Sequence, residues 1–369
     1  MTDVSKNAYQ PETVSSPGST LADLLEEQNI RQNELAVRMD VTPKFVNELV
    51  GGKVSISPGV ALSLERTLGV PADFWLARDA QYQAFKARSE AYSDLEAQSD
   101  WLQELPLKEM IRFDWIRKCA TPAAQVAECL QYFGVASASA WREHYVKRVQ
   151  ASTAWRISEQ VTHAAGAIAA WLRQGELEAS QVRCRPFDRE LLIQALDEVR
   201  TLTLESKPEI FIPALKKLLA HCGVAVVLIP APKGCPASGA VRWIAPQKSL
   251  VQLSLRYKTN DHLWFTFFHE CAHLLLHGKK MLFLEGANMS GSEEDEANLY
   301  ASQRLIPQVE FDAFKRCTPT RENIINFAKR IGIAPGIVLG RMQKEDLIAW
   351  SKFYDLKIRY RWKEADDSD

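Results

Sequence analysis

The chemistry-bearing residues of this chain gather in one run, FTFFHECAHLLLH, which holds His269, Glu270 and His273. A His-Glu-x-x-His spacing on a helix sets two imidazoles one turn apart on one face, so both can reach a single ion. Zinc suits such ligands, and a catalytic zinc keeps one position for water. Glu270, beside the first histidine, sits where it can take the proton of that water. The surrounding Leu263, Trp264, Phe265, Phe267, Phe268, Leu274, Leu275 and Leu276 are apolar nearly all round. The helix is therefore expected to be buried, where polar side chains need partners.

A third ligand is sought in SGSEEDEANLYASQRLIP, where Glu293, Glu294 and Glu296 compete. At about 100° per residue, Ala297, Ala301 and Leu305 define the apolar face. Glu294 falls within that face, Glu296 lies nearly opposite and reads as solvated, and Glu293 is to one side. Glu294 is the expected ligand. Asn298, one turn later, is placed to hydrogen-bond a ligand from behind. His277 reads as structural or as such an outer partner. Cys235, in PKGCPASG, reads as an ordinary loop cysteine; the bolder alternative is a thiolate that occupies the open zinc position.

Positioning these groups requires a particular set of elements. A long apolar helix is expected over 261–277, with a Gly/Ser loop after it and a helix over 293–305 stopped by Pro307. Ahead of it, 223–229, 238–244 and 250–255 read as short strands. From Trp101 to Leu204 the chain reads as helical, with Trp101, Trp115, Trp141, Trp155 and Trp171 as core anchors. The expected organisation is a flexible leader (1–18), a small helical domain (19–97), a helical linker or regulatory region (98–205), the domain carrying the HExxH helix (206–360) and an acidic tail (361–369).

The small helical domain carries its own signature, QNELAVRMDVTPKFVNELV over 32–50. Leu35, Ala36 and Met39 point inward from a first segment. Thr42 then caps a second helix with Pro43 at its first position, anchored by Phe45 or Val46 and by Leu49. Small Ala36 allows the close crossing that a helix-turn-helix requires. Thr42, Lys44 and Asn47 are the candidates for contact with base edges, and Gln32 and Lys53 for contact with phosphates.

Taken together these motifs resemble two known families. HECAHLLLH, EDEANLYA and RLIP, spread over roughly residues 220–345, resemble the ImmA/IrrE family of zinc metallopeptidases. Cys271 stands where that family has a small residue, which leaves ligand spacing and base intact. The resemblance implies an intracellular endopeptidase with few substrates, often helix-turn-helix repressors, although some members act as sensors. From Leu21 to Arg88 the pieces ELAVRMDVTPKFVNELVGGK, ISPGVALSLERTLGVPADFWL and QYQAFKAR are similar to the Xre-type helix-turn-helix of HigA-like antitoxins. That likeness implies a homodimer on its own promoter palindrome and a toxin-like partner encoded nearby.

Bulk properties fit this reading. A length of 369 residues suggests two or three domains at ~150 residues each. A net charge of −1 excludes a globally basic nucleic-acid coat but not a local positive face. Seven scattered cysteines without a CxxC pair fit reduced thiols. No apolar run is long enough to span a bilayer and the N-terminus lacks a signal core, so a cytoplasmic location without membrane attachment is expected. The expected fold is α+β and predominantly α: a helix-turn-helix bundle, a helical middle region, and a zincin-like domain with a small sheet. The expected function is a DNA-binding, antitoxin-like repressor fused to a zinc-dependent endopeptidase, latent until signalled, that cleaves a specific partner protein. The alternative is a non-proteolytic antitoxin or sensor that binds DNA and a partner through a metal-binding fold.

Overall fold

The computed structural model describes residues 14–147, 159–277, 283–285 and 291–362. Most of the expected leader and nearly all of the acidic tail lie outside them, as does Trp155. The chain divides after Ala97 into two compact units. The protein is α+β and predominantly α, with a helix-turn-helix bundle at its N-terminus.

Among the described residues the first unit is built of five helices: α1 (Pro17–Glu27), α2 (Gln32–Arg38), α3 (Pro43–Val50), α4 (Pro58–Leu68) and α5 (Ala72–Ala97). Local chemistry starts three of them in the same way. Ser16, Thr42 and Ser57 accept from the N–H three residues on, each followed by proline at the first helical turn. Residues 16–18 therefore belong to α1, not to a flexible leader. Gly18 shows why: a Cβ there would lie 2.2 Å from the Val50 carbonyl oxygen, so α1 meets the end of α3 backbone to backbone. Leu21, Leu35, Ala36, Val46, Leu49, Leu64 and Trp75 form the core.

The second unit, Gln98–Asp369, surrounds a four-stranded sheet of order β1-β3-β2-β4. The strands are β1 (Val224–Leu228), β2 (Gly239–Ala245), β3 (Lys248–Leu253) and β4 (Phe283–Glu285). β1 runs parallel to β3, while β2 is antiparallel to both β3 and β4. The short β4 falls where the sequence suggested only a loop. Side chains alternate between two cores. Val224, Val226, Val241 and Val251 face one; Ala225, Val227, Ala240 and Leu250 face the other. The first core contains α12 (Asn260–Leu276), the HExxH helix, whose Trp264, Phe267 and Phe268 are fully buried.

The described residues of 98–205 do not form a separate linker. Among them are α6 (Leu107–Arg112), α7 (Pro122–Phe133), α8 (Ala138–Trp141), α9 (Glu159–Gln181) and α10 (Arg189–Leu202). α9 covers the second face of the sheet: Trp171 Nε1 donates to the Ile229 carbonyl (3.0 Å) and Gln252 Nε2 to the Trp171 carbonyl (2.6 Å). α10 packs with α11 (Pro208–His221) in the first core. α7 and α8 pack together around Trp101, Phe133, Trp141 and Tyr145, and Tyr132 of α7 donates its hydroxyl to the Ala170 carbonyl of α9 (2.9 Å), which ties this aromatic cluster to the helix on the sheet. Trp101, Trp141 and Trp171 are buried anchors, and Trp115 is partly buried.

Candidate functional sites

α12 and α13 (Ser292–Leu305) bring the four expected residues of the metal site together. His269 Nε2 lies 3.0 Å from His273 Nε2 and 3.2 Å from Glu294 Oε2, and His273 Nε2 lies 3.5 Å from Glu294 Oε1. A tetrahedral zinc with bonds near ~2.05 Å has ligand–ligand edges of ~3.3 Å. The three separations bracket that edge. His269, Glu270 and His273 are buried at 1%, 0% and 2% exposure, and the Glu294 side chain is 12% exposed.

The outer hydrogen bonds decide which nitrogens point inward. His269 Nδ1 is 3.1 Å from Asn298 Oδ1, an oxygen that only accepts. Nδ1 therefore carries the proton and Nε2 turns its lone pair inward. His273 Nδ1 is 2.9 Å from His277 Nδ1, and His277 Nε2 is 3.3 Å from Glu296 Oε2. A carboxylate oxygen accepts, so His277 Nε2–H donates to Glu296 and its Nδ1 is left to accept from His273 Nδ1–H. The His273 Nε2 lone pair then also faces the centre. Burial, reinforced by His269 and His277, lowers His273 to about 3 and keeps it neutral. Two lone pairs and a carboxylate oxygen thus converge in a desolvated space, an arrangement that fits one divalent cation.

Two parts of this site escape the sequence argument. Glu296 is not merely solvated: although 60% exposed, it ends the chain through His277 to His273. Helical phase placed it correctly off the apolar face but could not show that the end of α12 approaches it. Gly239 is the second. A Cβ there would fall 2.6 Å from Glu270 Oε1 and 2.9 Å from its Cγ, so β2 needs glycine for the base to lie against the strand. Other residues support the ligand helix from a distance. Arg200 of α10 donates to the Leu305 carbonyl (3.0 Å), and Arg341 to the Ser302 and Ile306 carbonyls (3.3 and 2.8 Å). They satisfy the carbonyl end of α13.

Cys235 cannot act as the inhibitory thiolate. It is buried with Ala167, Ile168 and Trp171 in the core on the opposite face of the sheet from α12. Burial pushes its thiol up to about 12. Cys271 is likewise fully buried, and its thiol is raised well above the ordinary range by burial.

In the first unit, Thr42, Lys44 and Asn47 are exposed at the start and along the outer face of α3. The Thr42 hydroxyl oxygen caps Phe45 N–H at 3.2 Å, which leaves its proton to donate outward. Lys44 is 84% exposed and stands 3.9 Å from Glu48, too loose a pair to hold it. Val46, not Phe45, is the fully buried anchor. Gln32 opens α2 half-buried. Lys53 is exposed, and its N–H closes the turn onto the Glu48 carbonyl (2.9 Å) through Gly52 at φ 67°.

Comparison with known proteins matches residues 21–75 to the helix-turn-helix family model. The chain is 30% identical over 60 residues to the uncharacterized HTH-type transcriptional regulator YddM of Escherichia coli. That match covers 16% of this chain and 64% of the relative, so the chain spans less than two thirds of the relative's length. Two solved structures align at 25% identity. One is an antidote protein of a plasmid maintenance system from Nostoc punctiforme, covering 22% of this chain and 92% of that one at TM-score 0.21. The other is an addiction module antidote protein of a HigA family from Coxiella burnetii, covering 23% and 92% at TM-score 0.21. Among the described residues no helix is long and apolar enough to cross a membrane.

Proposed function

We propose that this protein is a DNA-binding transcriptional regulator of the Xre type whose second unit is a zinc-dependent endopeptidase of the ImmA/IrrE kind. The peptidase half rests on one observation: ligand atoms of His269, His273 and Glu294 converge beside the buried Glu270. Zinc, when bound, supplies the Lewis acidity for attack of water on a peptide carbonyl. The protein does the rest. Asn298 and His277 hold the two imidazoles in the ligating tautomer. Glu270, seated against Gly239, receives a proton from the attacking water at its carboxylate and passes it to the leaving amine. The apolar walls of α12 keep other water out.

The DNA half rests on the exposed Thr42, Lys44 and Asn47 of α3, in the segment that matches the helix-turn-helix model. The regulator acts as a homodimer on a two-fold site in its own promoter, as the HigA-like resemblance implies, and resides in the cytoplasm with a toxin-like partner or substrate encoded nearby.

A second reading, a non-proteolytic antitoxin or sensor, is favoured by the near-complete burial of His269, Glu270 and His273. The peptidase reading accommodates this as latency, with a signal required to admit substrate. Coexpression of wild type and Glu270→Gln with the neighbouring gene product separates the two. The partner should be shortened only by wild type and only under an inducing stress, while the variant retains zinc and operator binding. Equal partner length with both proteins under every stress would transfer the site to the binding reading.

A further inference from the structure

A second polar cluster lies away from the metal ligands in sequence. The segment 183–188, after α9, runs past the C-terminal end of α11, where Arg185 N–H donates to the Ala220 carbonyl (3.0 Å) and Asp188 N–H to the Cys222 carbonyl (3.1 Å). Between them lies a surface cavity, open to solvent, of about 470 Å³ lined by Arg183, Cys184, Arg185, Lys217, Ala220 and His221, the four basic side chains all exposed. Two guanidinium groups, an ammonium and an imidazole share this space, and no acidic side chain lines it. In a chain of net charge −1, such a concentration of one sign needs a reason.

The ordinary reason is the negative carbonyl end of a helix. Here the Leu218, Leu219 and Ala220 carbonyls already have donors. The Ala220 carbonyl accepts from the N–H groups of Arg185 and Gly223 (3.0 and 3.3 Å), and the Leu219 carbonyl from Cys222 N–H (2.9 Å). The Cys222 thiol donates to the Leu218 carbonyl (3.4 Å). Nearby, Lys248 Nζ donates to the Ala179 and Val182 carbonyls at the end of α9 (2.7 and 2.6 Å). The side chains of Arg183, Arg185 and Lys217 make no hydrogen bond or ion pair among the described residues.

We propose that this cavity binds a small phosphorylated molecule, with Arg183 and Arg185 gripping phosphoryl oxygens and Lys217 adding a compact positive charge. Arginine forks match phosphate geometry, and a lysine supplies a point charge. The volume falls within the roughly 300–1,000 Å³ of small-ligand pockets. Duplex DNA, with a charge every ~1.7 Å along its axis, calls instead for an extended basic stripe. The site is independent of the peptidase reading.

The half-buried Cys184 in the cavity wall provides the readout. Full-length protein is alkylated with iodoacetamide at constant ionic strength, with inorganic phosphate, pyrophosphate, or a short DNA duplex as probe, and each cysteine is followed by peptide mass spectrometry. Pyrophosphate should slow modification of Cys184 by roughly tenfold at saturation while leaving the exposed Cys317 unchanged. The double variant R183Q/R185Q, altered only at exposed positions, should lose this protection and keep the wild-type melting temperature. Protection that survives in the double variant overturns the proposal, as does its absence with both phosphate probes. Protection by the duplex but not by pyrophosphate would make the cluster a nucleic-acid surface instead.

Discussion

The helix-turn-helix unit keeps its candidate contact residues in water: Thr42, Lys44 and Asn47 are exposed on a helix whose other face fills a small core. The unit of the HExxH helix does the reverse, holding His269, Glu270 and His273 at 0–2% exposure under aromatic walls. An exposed reader can exchange one side chain for another at little expense to its scaffold. A buried polar centre cannot, because each group left without its partner carries a desolvation penalty. The same kind of substitution should therefore act all-or-none in one unit and by degrees in the other.

The largest effect is expected at the centre itself. Purified wild type should hold about one zinc per chain, His273→Ala should lose nearly all of it, and Glu270→Gln should keep it, as read by elemental analysis. Full zinc in His273→Ala would remove the site. One step outward, Asn298→Ala takes away the acceptor that fixes the His269 tautomer and should weaken zinc binding by roughly 10–100-fold in a competition titration. Unchanged affinity would mean that the tautomer is set elsewhere.

Gly239→Ala tests the buried environment without touching a ligand. The new methyl overlaps Glu270 and Thr266, and melting should show a loss of about 1–3 kcal/mol together with a displaced base. A neutral result would show that β2 yields easily. In the exposed unit, Asn47→Ala should leave melting unchanged and reduce discrimination against mutated operators by ~1–3 kcal/mol per lost base contact. Lys53→Ala should instead weaken all sequences alike and flatten the salt dependence. Loss of stability in Asn47→Ala would blur the contrast between the units. The smallest effect belongs to Glu296→Gln, exposed at the end of the His277 chain: zinc affinity should fall, but by less than ~10-fold.

What the sequence determined by itself is local in origin. The i, i+4 spacing placed His269 and His273 on one face, helical phase singled out Glu294 over Glu293 and Glu296, and the Thr42-Pro43 pair marked where α3 begins. Each signal lies within a turn or two of chain, so backbone geometry alone converts it into structure. The tertiary structure decided the rest. It packed α9 and α10 onto the sheet and its core, carried His277 to Glu296, brought Gly239 against Glu270, and set Arg200 on the end of the Glu294 helix. It also sent Cys235 to the far face of the sheet. These outcomes depend on which apolar faces bury one another across long stretches of chain, and periodicity within a single element carries no record of its partner.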